Sequence, residues 1–87
     1  MILFKKWFRV GDTVYFADTE DFILYEGVIT ERAGRLADVH FSKAWQYAIG
    51  GMREGSLDTT AGVYTNQLTK NKQEAELIIA RAMSQAK

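Results

Sequence analysis

The chain has 87 residues, no cysteine and a formal net charge of zero. That length accommodates one domain, and the lack of cysteine excludes a disulfide framework or a Cys-based zinc site. The balanced charge argues against tight, salt-driven, non-specific nucleic-acid binding, although charge is unevenly placed and a local patch is compatible with it.

The opening "MILFKKWF" holds its lysines inside the apolar run and lacks a small-residue cleavage site, so it does not read as a secretory signal. No stretch approaches the ~20 apolar residues of a membrane span, which makes a cytoplasmic protein with no membrane partner the expectation. Lys5, Lys6 and Arg9 are interleaved with Phe4, Trp7 and Phe8. Gly11-Asp12 then makes a turn into a strand over 13–17, with Val14 and Phe16 directed to the core and Arg9 and Tyr15 left for recognition. "ADTED", residues 17 to 21, reads as an acidic loop.

"FILYEGVITER", residues 22 to 32, is a second and longer β segment, with Gly27 marking a bulge or bend that lets one strand serve two sides of a small barrel. "RAGR" turns the chain at Gly34. In the third strand Ala37, Val39 and Phe41 point one way and Asp38, His40 and Ser42 the other. Residues 43–49, "KAWQYAI", fit either a strand or a short helix, and the turn-and-strand rhythm before them favours the strand. Residues 50–62 hold four of the seven glycines and are expected to form the longest loop. "VYTNQL", residues 63 to 68, closes the β region.

The last segment has the strongest pattern. Ala75, Ile78, Ile79, Ala82, Met83 and Ala86 recur at helical spacing and predict an amphipathic helix from about 70 to 86. Asn71 with Glu74 forms a capping-box pattern, and Thr69 is a competing cap. The apolar stripe is expected to pack on the chain's own barrel, since a short isolated helix is marginal in water.

A "VGDxVYF" strand, an acidic loop, "EGVI" and "DVHF" strands, a glycine loop and a strand ending "NQL" together resemble an SH3-like small barrel of the Tudor and KOW group. The chain also resembles short phage and prophage proteins that add a "TK..EAE" helix after the barrel, here "TKNKQEAE". The resemblance implies a mainly β fold with a C-terminal helix: a partly open five-strand barrel over about 7–68 within one domain, 1–87. It implies no polyproline site, because the "ALYDY"-like stretch of peptide-binding SH3 domains is absent.

Asp38, His40 and Ser42 list the members of a catalytic triad, but alternate strand residues lie ~6.5–7 Å apart and a triad needs direct hydrogen bonds. The acids of "DTED" lack EF-hand spacing, and "GGMREGS" lacks the context of a phosphate loop. The expectation is therefore a non-enzymatic binding or regulatory module, with no metal or cofactor. Its protein-binding surface is expected to comprise Asp18, Glu20, Asp21, Tyr25, Trp45 and Tyr47. An alternative is nucleic-acid binding through Lys5, Lys6, Trp7, Arg9, Arg32, Arg35 and Lys43. A second alternative is self-association through Trp45, Tyr47 or an edge strand.

Overall fold

The computed structural model describes residues 7–86; Lys5 and Lys6 lie outside them. Five antiparallel strands form one open sheet, in the order β4-β3-β2-β1-β5. The strands are β1 (Thr13–Asp18), β2 (Ile23–Ala33), β3 (Leu36–Ala48), β4 (Gly51–Tyr64) and β5 (Leu68–Thr69), followed by the helix α1 (Lys72–Gln85). The two end strands are not paired with each other, so the expected partly open barrel is an unclosed sheet. Among the described residues, no helix is long and apolar enough to cross a membrane.

Two expectations fail in the C-terminal half. Residues 50–62 are not a loop: all but Gly50 belong to β4, which pairs with β3 from Gly51↔Ala48 to Tyr64↔Leu36. Their glycines suggested mobility, but cross-strand pairing decides strand formation at an edge, where small side chains are tolerated. The expected strand over 63–68 is divided, with Val63 and Tyr64 ending β4, a 3-10 turn over Thr65–Gln67, and only Leu68–Thr69 in β5. Residues 43–48 are strand, as the preferred reading had it.

The sheet has two packed faces, and the two-residue period of β1 divides its side chains between them. Val14 joins Phe8, Ile29, Ala37, Val39, Phe41, Val63 and Leu68 in one buried cluster, with Phe16 and Tyr25 packed against it. On the opposite face Leu24 and Trp45 meet Ala75 and Ile79 of α1, with Tyr15, Tyr47, Phe22 and Met83 partly buried around them. Full burial of Leu24 and of Ile79 removes enough apolar area to favour the folded state by roughly 1.5–3 kcal/mol each. The helix thus docks on its own sheet, against β1, β2 and β5.

One residue explains how β3 serves both clusters. Gly27 lies opposite Phe41 and Glu26 opposite Lys43, so Ser42 is an extra residue on β3, a β-bulge. Before it, odd-numbered Ala37, Val39 and Phe41 face the first cluster; after it, odd-numbered Trp45 and Tyr47 face α1. Of the bulge or bend anticipated at Gly27, a bulge is present, with the inserted residue on the strand across from it. A Cβ on Gly27 would stand 2.6 Å from the His40 carbonyl oxygen and 2.7 Å from Val39 Cγ1, so only glycine fits this approach.

Candidate protein-binding groove

A groove of about 700 Å³ runs between β1, the residues around the 3-10 turn, and α1. Apolar Phe16, Leu68 and Ile78 are among its lining residues; Leu68 is buried and Phe16 packs against the same cluster, while Ile78 is part-exposed. Asp18, Glu20 and Glu74 place carboxyl groups along it, while Arg81 is the one cation among its described lining residues and Asn66, Gln67 and Thr69 add neutral polar groups.

Each wall has a local cause. Asp18 Oδ1 accepts the backbone N–H groups of Glu20 and Asp21 at 2.9 and 3.1 Å, an Asx turn that fixes the acidic loop. That loop ends in Phe22 at φ 59°, an uncommon conformation for a bulky residue, and its carbonyl accepts the Tyr47 N–H at 2.9 Å. Asn71 Oδ1 caps α1 by accepting from Gln73 and Glu74 at 2.8 and 3.3 Å. Thr69, the competing cap in the sequence, instead accepts the Asn71 N–H at 3.1 Å. Together these fix where α1 starts, and Ile78 and Arg81 line the groove with residues of β5 and the acidic turn.

The expected protein-binding residues are separated by the fold. Asp18 and Glu20 line the groove, and Asp21 is exposed in the same turn. Trp45 is only 5% exposed, beneath α1, with Lys72 Nζ 3.9 Å from its ring centroid. It is a core residue, because the Ser42 bulge turned it to the helix-covered face. Tyr47 packs partly into the same cluster and its hydroxyl donates to Glu76 at 3.4 Å. Tyr25 lies between Phe16 and Phe41 on the other face, at ring separations of 6.2 and 5.6 Å. Tyr15, expected to be free, is partly buried under α1.

Burial raises the hydroxyl pKa of Tyr15, Tyr25 and Tyr47. Glu26 reinforces the effect at Tyr15, Asp18 and Asp21 at Tyr25, and Glu76 at Tyr47. Asp12 shifts the other way: the Arg9 backbone N–H, 2.9 Å from Oδ2, and the Lys70 ammonium at 3.0 Å hold its carboxyl below the usual value.

The residues of the nucleic-acid alternative are also divided. Trp7 is 66% exposed and Arg9 is exposed beside it. Arg32 has a structural task, donating from Nη1 to the Phe8 carbonyl at 2.6 Å and from Nε to the Gly34 carbonyl at 2.9 Å. Arg35 lines a second groove of about 640 Å³ with Phe8, Tyr64 and residues 65–68. Lys43 stands apart, opposite Glu26. His40 does not meet Asp38 and Ser42 as a triad would; its Nε2 pairs with Asp58 of β4. Among the described residues, no group of three or more His, Asp or Glu side chains could hold a metal ion.

Leu68, Asn66, Gln67, Ile78 and Arg81 were absent from the sequence-based set of site residues. The only signal for them lay in Ile78, which sits at the edge of the helical stripe and therefore straddles core and surface. Comparison with protein-family models, with curated proteins and with solved structures finds no match to this chain.

Proposed function

We propose that this chain is a non-enzymatic binding module that takes an extended protein segment, basic with apolar side chains, in the groove between β1 and α1. The observation that carries this reading is a groove between β1 and α1 that brings apolar residues, among them part-exposed Ile78, together with the carboxylates of Asp18 and Glu20. Apolar lining supplies affinity through burial, and nearby carboxylates supply selectivity and faster encounter. A five-stranded antiparallel sheet with a register shift at Gly27 and a helix on one face supports the resemblance to SH3-like barrels. With that resemblance goes the accessory role, of phage or mobile-element type, that it implies.

The test is an amide-resolved NMR titration with a peptide alternating lysine and leucine, beside a peptide of the same pattern carrying glutamate for lysine. Binding is expected to shift amides of residues 16–20, 66–69 and 74–81, to weaken with salt, and to fail for the acidic peptide. Glu20→Lys should weaken it without unfolding the chain, since the Glu20 side chain makes no fold-supporting hydrogen bond among those found in the structure. Shifts elsewhere, or none, would overturn the groove reading.

A second reading keeps single-stranded nucleic acid as the ligand, favoured by exposed Trp7 beside Arg9 and by Arg35 with Tyr64 at the second groove. Because Trp45 is buried, Trp7 is the reporter. Quenching of Trp7 by oligonucleotides, with a slope in salt, would select this reading over the first.

A further inference from the structure

β4 ends the sheet, pairing with β3 over residues 51–56 and 59–64 with a register shift at Leu57–Asp58, and with nothing on its other side among the described residues. Its 14 residues therefore turn a long row of backbone N–H and C=O groups to solvent. Natural edge strands are commonly guarded by proline, lysine or sheer shortness. β4 contains neither residue type and is the longest strand of the fold.

Alternation along β4 places Leu57, Ala61 and Val63 on the core side. Its even-numbered residues consequently lie on the outer face. Met52 and Tyr64 on that face are 54% and 58% exposed, and Leu36, opposite Tyr64 on β3, is 42% exposed. Gly62 leaves a notch beside Leu36 and Tyr64: a methyl group there would be 3.5 Å from Asp38 Oδ1 and 3.7 Å from Leu36 Cδ1.

We propose that β4 pairs antiparallel with β4 of a second copy of this chain, about a two-fold axis at Leu57. In a continuous sheet, directly opposed residues share a face, so the axis must pass through a residue and not between two. Axes at Leu57 and at Asp58 give the greatest overlap of this strand with itself. An axis at Asp58 opposes the two Asp58 carboxylates, and one at Ser56 opposes Glu54 to Asp58; both are like-charge pairs that destabilise. The axis at Leu57 has no such clash, setting Glu54 against Thr60 and Ser56 against Asp58. It also sets Met52 of each copy over the Gly62 notch of the other, beside Leu36 and Tyr64, where a flexible thioether fills the gap.

Sedimentation of the full chain across concentration, with two substitutions at exposed Thr60, tests this. Wild type is expected to form a dimer. Thr60→Glu places glutamate opposite Glu54 twice per dimer and should weaken association on the order of tenfold, whereas Thr60→Lys should tighten it by a few-fold. Met52→Ser should also weaken it, and urea unfolding of dilute samples checks that each variant folds. A wild-type chain that is monomeric at every concentration overturns the proposal. So does a dimer whose affinity does not move in opposite directions in the two Thr60 variants.

Discussion

At the scale of single residues, side chains of one chemical type divide by the face they occupy. Trp45 and Trp7 are the two tryptophans, one beneath the helix and the other in solvent. Truncating Trp45 to alanine should cost about 3–5 kcal/mol, the range for a large buried ring, while Trp7→Ala should stay within about 0.5 kcal/mol. Urea midpoints of the two variants check this, and the loss of Trp7 should leave a blue-shifted emission from Trp45 alone. Gly27→Ala brings a methyl carbon within 2.6 Å of a backbone oxygen that β3 cannot easily withdraw. About 2–3 kcal/mol of destabilisation is expected, read as a lower denaturation midpoint with an unchanged slope. Sequence alone marked Gly27 as special; the identity of the atoms it approaches required the neighbouring strand.

At the scale of elements, the helix was the most legible part of the chain and β4 the least. The helix carries its own information in the Asn71 cap and the Ala75–Ile79 spacing, both local. Removing the cap with Asn71→Ala should cost about 1 kcal/mol, measurable by thermal melting, because two backbone N–H groups lose their acceptor. β4 has no comparable local signal, and its strand character comes from pairing with β3. The candidate groove shares that difficulty, because its walls come from β1, the residues around the 3-10 turn and α1. Only Asp18, Glu20 and Asp21, contiguous in one turn, were legible as a group. Trp45 and Tyr47 were correctly read as strand residues but assigned to the surface. Deleting Ser42 would make Phe41 and Lys43 neighbours, as Gly27 and Glu26 are on β2, and keep Trp45 on the α1 face, so the blue-shifted Trp45 emission should survive the deletion.

At the scale of the whole molecule, stability should fall at both ends of the pH range for separate reasons. Asp12 keeps its charge to lower pH in the folded chain than in the unfolded one. Its contribution is therefore complete above the ordinary carboxyl value of 3.8 and is lost as pH falls below it. Tyr15, Tyr25 and Tyr47 hold their protons above the ordinary value of 10.0 when folded, so their contribution is intact below that pH and lost as pH rises past it. Melting temperatures followed from neutral to alkaline pH should drop beyond pH 10.0, with a shallower fall in Tyr47→Phe. At the acid end, Asp12→Asn should flatten the corresponding decline.

The sequence by itself determined what is decided by local alternation and local hydrogen bonding. That covers the strand character of β1 and β2, the turns at Gly11 and Gly34, the acidic loop and the capped helix. Tertiary structure alone decided which face each aromatic ring occupies. A single inserted residue at Ser42 reverses side-chain direction along the rest of β3, and only the partner strand reveals that insertion. It likewise decided that the glycine-bearing stretch after Gly50 is an edge strand, since pairing is a property of two segments and not of one.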